Sequence, residues 1–193
     1  MNSLLLDSTY KDLNVGLAIN SEVYETSYEA YQRQSELMIP EIDKLLKAHN
    51  LKPKEINEIV VTHGPGSYTG LRIALTIAKV YSYAVKCNCY SLSSLNVLMK
   101  DGTPSICLIN ARSNRSYIGV YKNNDVILAD RVMTNEEVTQ YIKDHPDYIV
   151  CGDTDYLGIN GYKADLLKNM FLLKNNTNLV KDIYTLKATY LKD

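Results

Sequence analysis

The stretch HGPGSYTGLRIALTIAK, residues 63–79, joins a short apolar strand to a long helix through a glycine-proline turn. Three of the nine glycines, Gly64, Gly66 and Gly70, fall within seven residues, so the turn specifies backbone geometry before side-chain chemistry. The run EIVVT before it, residues 58–62, is β-branched and short enough for a buried strand. After it, Leu71, Ile73, Ala74, Leu75, Ile77, Ala78, Val80, Tyr81, Ala84 and Val85 occupy more of a helix than one face can use against a single sheet. Polar residues keep a narrow stripe, Arg72, Thr76, Lys79, Tyr83 and Lys86. Such a helix is covered on two sides, either inside its own domain or by a partner.

Outward from this unit, residues 3–7 read as a strand ending in Asp7. Residues 14–19 and 23–28 follow as a hairpin turned at Asn20 and Ser21. Residues 35–49 carry Leu37, Met38, Ile42, Leu45 and Leu46 on one helical side, with Pro40 blurring the helix start. A short turn over 53–56 leads into the strand at 58–62, and residues 88–91 and 93–100 complete the order βββαβαβ with a short closing helix. The linker DGTP, residues 101–104, ends this half. The chain then starts again: laid on residues 6–23, residues 109–126 place Gly119 on Gly16, Asn110 on Asp7 and Val126 on Val23. Strands over 106–110, 117–121 and 126–132, a capping box TNEE at 134–137 opening a helix, and a strand at 148–151 follow. The expected fold is α/β, two tandem ribonuclease H-like lobes of the actin, Hsp70 and sugar-kinase kind. The first spans residues 1–102. The second spans 103–193, is reduced, and ends in a segment that is a candidate to return to the first.

Composition narrows the function. The chain has 193 residues, 46% of them hydrophobic and 22% charged, with a net charge of −1. That balance gives no global attraction to nucleic acid, so contact with RNA requires a local patch or a partner. No apolar run approaches the ~20 residues of a membrane span, and a cytoplasmic location without membrane association is expected. Cys87, Cys89, Cys107 and Cys151 lack paired ligand spacing, so free thiols rather than a metal site are expected.

Catalytic chemistry is poorly supplied. A two-metal nuclease needs converging carboxylates; Asp7 is placed for one, with Glu36 or Glu41 as helix candidates, but the strand at 58–62 ends in Thr62 and His63. Phosphotransfer needs a phosphate-gripping hairpin in each lobe. Asp7, Ser8 and Thr9 are candidate nucleotide contacts in the first, whereas residues 110–115, NARSNR, offer no carboxylate or glycine. Arg112 and Arg115 there either grip a phosphate or sit in solvent. The turn at Gly64, Pro65, Gly66, Ser67, Thr69 and Gly70 lacks the Gly-Lys-Ser/Thr of a P-loop. His63 with Ser67 or Thr69 has no orienting carboxylate in view, so no catalytic residue and no metal ligand is expected.

The same residues resemble a known family. HGPGSYTGLRI is similar to the G-P-G-S-[FY]-T-G-[LV]-R-I-G signature of the TsaB family, also called YeaZ, including Arg72. Residues 35–46, SELMIPEIDKLL, resemble its first helix, with Gln34 in place of a histidine; the start LLLDST, Ala111-Arg112 and the ending Tyr190-Leu191-Lys192 also fall where the family has them. Its D-A-R-x-G-E-[VI]-[YF] reads here NARSNRSY, losing two carboxylates and a glycine. The resemblance implies a non-catalytic subunit that dimerises with its paralogue TsaD for N6-threonylcarbamoyladenosine formation in tRNAs reading codons that begin with A. TsaE, an ATPase, joins a ternary complex; ATP and metal sit on the partner subunits, tRNA is met through the complex, and the chain alone forms a homodimer. The interface it implies uses the first two helices, here Leu37, Met38, Ile42, Leu45, Leu71, Ile73, Leu75, Ile77, Val80 and Tyr81. The alternatives are a small nucleotide-dependent transferase or hydrolase acting alone through Asp7, and a peptidase built on His63 and Ser67.

Overall fold

In the computed structural model residues 1–30 and 32–191 are described; Tyr31, Lys192 and Asp193 are not, so the Lys192 of the family-like ending lies outside the described residues. β1 (Asn2–Asp7), β2 (Asp12–Ile19), β3 (Glu22–Glu29), β4 (Glu58–Thr62) and β5 (Asn88–Leu92) form one sheet in the order β3-β2-β1-β4-β5. β6 (Ser105–Arg112), β7 (Arg115–Lys122), β8 (Asp125–Thr134) and β9 (Ile149–Gly152) form a second in the order β8-β7-β6-β9. Each sheet starts with an antiparallel hairpin, β1 on β2 and β6 on β7, and then adds a parallel strand, β4 or β9, on the other side of its first strand. The repeat read from the sequence is therefore structural, and the α/β class with two sheets is as expected.

The run LLL of β1 and the run IVV of β4 are continuously apolar because both faces of the first sheet are covered. Alternation divides them. Leu4, Leu6, Ile59 and Val61 join Met38, Ile42, Ala74 and Ala78 in one core, while Leu5 and Val60 point the other way into a core shared with Cys107, Ile109, Cys151, Leu167 and Met170. The first core lies under α1 (Gln34–Ala48) and α2 (Tyr68–Val85). The second lies between the sheets and is closed by α4 (Leu166–Leu173). Each fully buried Leu on these strands contributes about 1.5–3 kcal/mol. α3 (Asn135–Asp144) covers the outer face of the second sheet through Val138, against Ile106, Leu108, Ile118 and Val120.

The division near residue 102 separates the sheets but not the packing. α4 follows the second sheet in sequence yet packs on β1, β2, β3 and β4, and its Asn169 Nδ2 donates to the carbonyls of Val97 (2.9 Å) and Met99 (2.8 Å). Beyond it, residues 174–191 run back along the first lobe. Val180 N donates to Cys89 O at 2.8 Å, Leu186 enters the first core, and Thr189 N donates to His63 O at 2.7 Å. Lys174 Nζ closes the start of this strap in a buried ion pair with Glu58, which also accepts from Ser3 Oγ.

Local differences have local causes. Pro40 sits well inside α1, where its missing donor and ring are carried by tertiary packing of Met38, Ile42, Leu45 and Leu46. α2 begins at Tyr68, capped by Ser67, whose Oγ accepts from Gly70 N at 3.3 Å. The segment 93–100 makes only a single tight turn over Asn96–Leu98.

Candidate functional site

β1 delivers Asp7 to the sheet end beside the turn that opens α2. The carboxylate is buried and saturated: Asn14 Nδ2 donates to it at 2.9 Å and Thr62 Oγ1 at 2.5 Å, and Thr9 donates from both its hydroxyl and, at 3.3 Å, its backbone N–H. Thr9 Oγ1 also lies 2.9 Å from Thr62 Oγ1 and accepts from Ser94 Oγ at 3.1 Å, and Ser94 Oγ accepts from Gly64 N at 3.1 Å. Four donors on one carboxylate leave it little capacity to hold a metal or a nucleotide.

The glycine turn is filled by the chain's own backbone. Ser67 N donates to Thr9 O at 2.7 Å, and Ser8 Oγ donates to Gly70 O at 2.8 Å. A Cβ at Gly66 would run into Thr9, and one at Gly70 into the Ser8 carbonyl. Gly64 adopts a φ of +110° with Thr189 O 2.7 Å from where its Cβ would stand. The glycines thus let the β1–β2 loop and the C-terminal strap approach α2's start, where a phosphate-binding loop would face solvent.

His63 lies mostly buried at the end of β4, its Nδ1 2.8 Å from Ser91 Oγ, and burial holds its pKa below the usual value. Its ring partner is on β5, and Ser67 and Thr69 stand at the start of α2 without it. The hairpin Asn110 to Arg115 carries three consecutive left-handed residues, Arg112, Ser113 and Asn114. Arg112 shares a cavity of about 510 Å³ with Lys11, Gln34, Ser67, Thr69 and Ile73. Between the lobes, a cleft of about 350 Å³ is lined by Asp7, Asp12, Asp153 and Asp155 against only Lys11 and Lys163. A phosphate group entering it meets net negative charge. Burial there, with the Asp153 carboxylate, pushes Tyr10 up to about 12.

The third place is the surface of α1 and α2. Met38, Ile42, Leu45, Leu71 and Leu75, expected at a partner interface, are buried in the chain's own core because their helical faces turn to the first sheet. They are therefore corrected from contact residues to core. Leu37, Ile73, Ile77 and Tyr81 are partly exposed, and Val80 is 63% exposed. Between the helices runs an open groove of about 510 Å³ lined by Ser35, Ile39, Tyr68, Thr69, Arg72, Ile73, Thr76 and Ile77. Ile39, 53% exposed, was missing from the sequence reading. Its signal was an apolar residue beside Met38 but off the stripe that faces the sheet. Among the described residues, all four cysteines are free thiols and no three His, Cys, Asp or Glu side chains are grouped to hold a metal ion.

Comparison with known proteins gives these surfaces a context. Residues 25–146 match the family model described as TsaD: tRNA N6-adenosine threonylcarbamoyltransferase. The uncharacterized protein MG208 homolog of Mycoplasma pneumoniae is 30% identical over 200 residues, covering 98% of this chain and 94% of that protein. The tRNA threonylcarbamoyladenosine biosynthesis protein TsaB of Bacillus subtilis is 28% identical over 187 residues, covering 84% of this chain and 79% of its own length. The structure of YeaZ from Pseudomonas aeruginosa superposes with a TM-score of 0.82 at 20% identity, covering 98% of this chain and 99% of that one.

Proposed function

Because the chain belongs to the family described as TsaD, tRNA N6-adenosine threonylcarbamoyltransferase, we propose that it serves tRNA threonylcarbamoyladenosine formation as a non-catalytic, TsaB-type subunit. It docks TsaD on the α1–α2 groove, and in isolation pairs with a second copy through the same face. ATP and the metal belong to TsaD and to the ATPase TsaE, and the assembly works in the cytoplasm. Among the described residues no helix is long and apolar enough to cross a membrane.

The observation that carries this reading is the contrast between the open apolar groove of Ile39, Ile73 and Ile77 and the saturated carboxylate of Asp7. An apolar helix pair exposed on a chain of near-neutral charge is what a partner surface requires. Its likeness to TsaB of Bacillus subtilis supports the pathway. Mixed with TsaD and TsaE from the same genome, the chain is expected to restore modification of tRNA, and to elute with TsaD as a heterodimer. Ile39→Glu with Ile77→Glu should break both homodimer and heterodimer in size-exclusion chromatography while leaving the far-UV spectrum unchanged. Assemblies that survive both substitutions would place the interface elsewhere. ATP turnover by the isolated chain, lost in Asp7→Ala, would instead establish a nucleotide-dependent enzyme.

A further inference from the structure

The polar stripe of α2 is not used by the groove alone. Its residues Arg72, Thr76, Lys79 and Tyr83 face the C-terminal strap, residues 174–191, and together they build a surface unlike the rest of the molecule. α2 with its cap Lys86 and the strap carry six cations and one carboxylate, in a chain whose totals are 21 and 22. The one carboxylate, Asp182, is exposed beside Lys181 and caps the short turn that follows, its Oδ1 accepting from Tyr184 N at 2.9 Å, so the face keeps a clear excess of positive charge. Arg72, Lys79, Lys86, Lys181 and Lys187 have no carboxylate partner among the described residues.

Aromatic rings are interleaved with these cations. Tyr68 and Tyr190 stack at 5.1 Å, with the Arg72 guanidinium 3.9 Å over Tyr68 and its Nε donating to Tyr190 Oη at 3.1 Å. Further along, Tyr83 and Tyr184 meet at 6.1 Å and are 67% and 72% exposed. Two grooves flank the strap. One, of about 390 Å³, runs past Arg72, Lys79, Lys187 and Tyr190; the other, of about 360 Å³, runs past Tyr83, Lys181 and Ile183.

We propose that this face, α2's stripe and the C-terminal strap, is a docking surface for single-stranded RNA. Unpaired cations spaced along a groove neutralise a backbone, and exposed tyrosines beside them offer ring faces to unstacked bases. The rims of both grooves are cationic, Arg72, Lys79 and Lys187 on one and Lys181 on the other, which suits an anionic backbone. The inference deepens the proposed function, on which it rests for the choice of RNA, by giving the nucleic acid a place on this subunit as well as on its partner.

The test measures fluorescence anisotropy of a labelled single-stranded RNA oligonucleotide with the isolated full chain across salt. Four phosphate contacts predict a log–log salt slope of about −3, roughly a 50-fold loss of affinity between 50 and 200 mM salt. Lys79→Glu with Lys181→Glu and Lys187→Glu should weaken binding at least about 10-fold and flatten that slope, whereas Lys122→Glu with Lys143→Glu and Lys168→Glu, on other surfaces, should not. Tyr184→Ala should cost about 5-fold or more and Tyr184→Phe should restore it. Absence of binding, equal losses in the two triple variants, or capture instead by phosphatidylserine vesicles would each overturn the proposal. Partner docking is read separately, on mixing with TsaD, so either result can fail alone.

Discussion

The two hairpins that open the two sheets began as the same device and now do opposite things. In the first, Asp7 pairs with Asn14, and the loop between β1 and β2 lies in the space that Gly66 and Gly70 leave open at the start of α2. In the second, a bulge at Ala111 shifts the register and three left-handed residues turn the chain back at once, without a glycine turn of its own to pack into. The glycines make the difference. Where the sequence keeps them, the hairpin becomes a structural joint between sheet and helix; where it loses them, the turn is held from outside, Asn114 O accepting from Asn135 N at 2.9 Å at the start of α3.

This contrast can be broken, and the largest effect is expected at the joint. Gly70→Ala should destabilise the protein by about 3 kcal/mol in urea unfolding, because its Cβ meets a backbone carbonyl that cannot rotate away. Ser113→Gly in the second hairpin should leave stability unchanged or raise it by up to about 1 kcal/mol, since glycine relieves a left-handed φ of 51°. A Gly70 variant as stable as the parent would mean that the joint does not hold the first lobe.

A second effect, of about 2 kcal/mol, is expected for Leu186→Ala, which opens a cavity in the core under α1 and α2 although the residue lies far along the chain. Hydrogen exchange would show the loss in β1 and β4 amides and spare β6 and β7. Loss confined to the second sheet would assign the strap to the wrong lobe.

The smallest effects are in pH dependence and have opposite signs in the two lobes. Burial depresses the His63 pKa, so on acidification the unfolded chain takes up the proton first. Stability contributed by His63 is full above about pH 6.5 and falls as the pH drops toward its folded value. His63→Gln should flatten that slope. Asp130, on β8, is raised by burial, against hydrogen bonds from Ser93 and Tyr121 that lower it. Its contribution is present below its unfolded pKa and lost as pH rises through the folded one, so Asp130→Asn should be neutral or stabilising at pH 7. Both are expected to stay below about 1 kcal/mol.

What could be read from the sequence was what local pattern determines. β1 and β4 announced themselves because both their faces are buried, and the capping box of Thr134 and Glu137 fixed the start of α3. The outward residues of α1 and α2 were harder. A helix that is apolar around most of its girth does not say which side meets its own sheet, so Met38, Ile42, Leu45, Leu71 and Leu75 were grouped with Ile73 and Ile77 until packing divided them. α4 was not legible, and of the strap only the candidate return to the first lobe was, without its path. LLKNMFLL has only eight residues without polar periodicity, and what orders it is a surface on β1 to β4 laid down long before it in the chain. Asp7 was found as a residue, but its saturation depends on Thr9, Asn14 and Thr62 converging from three elements.

The return of the chain end to the first lobe bears on how the protein is made. The first sheet has all its strands by Leu92, yet the core on one of its faces is completed only by the second sheet and then α4, and the core under its helices lacks Leu186 until the strap follows. On a ribosome delivering about 5–20 residues per second, Leu5 and Val60 wait several seconds for the last side chains of their core, Leu167, Met170 and Leu173. The first lobe is thus completed only after the synthesis of the last elements that pack against it.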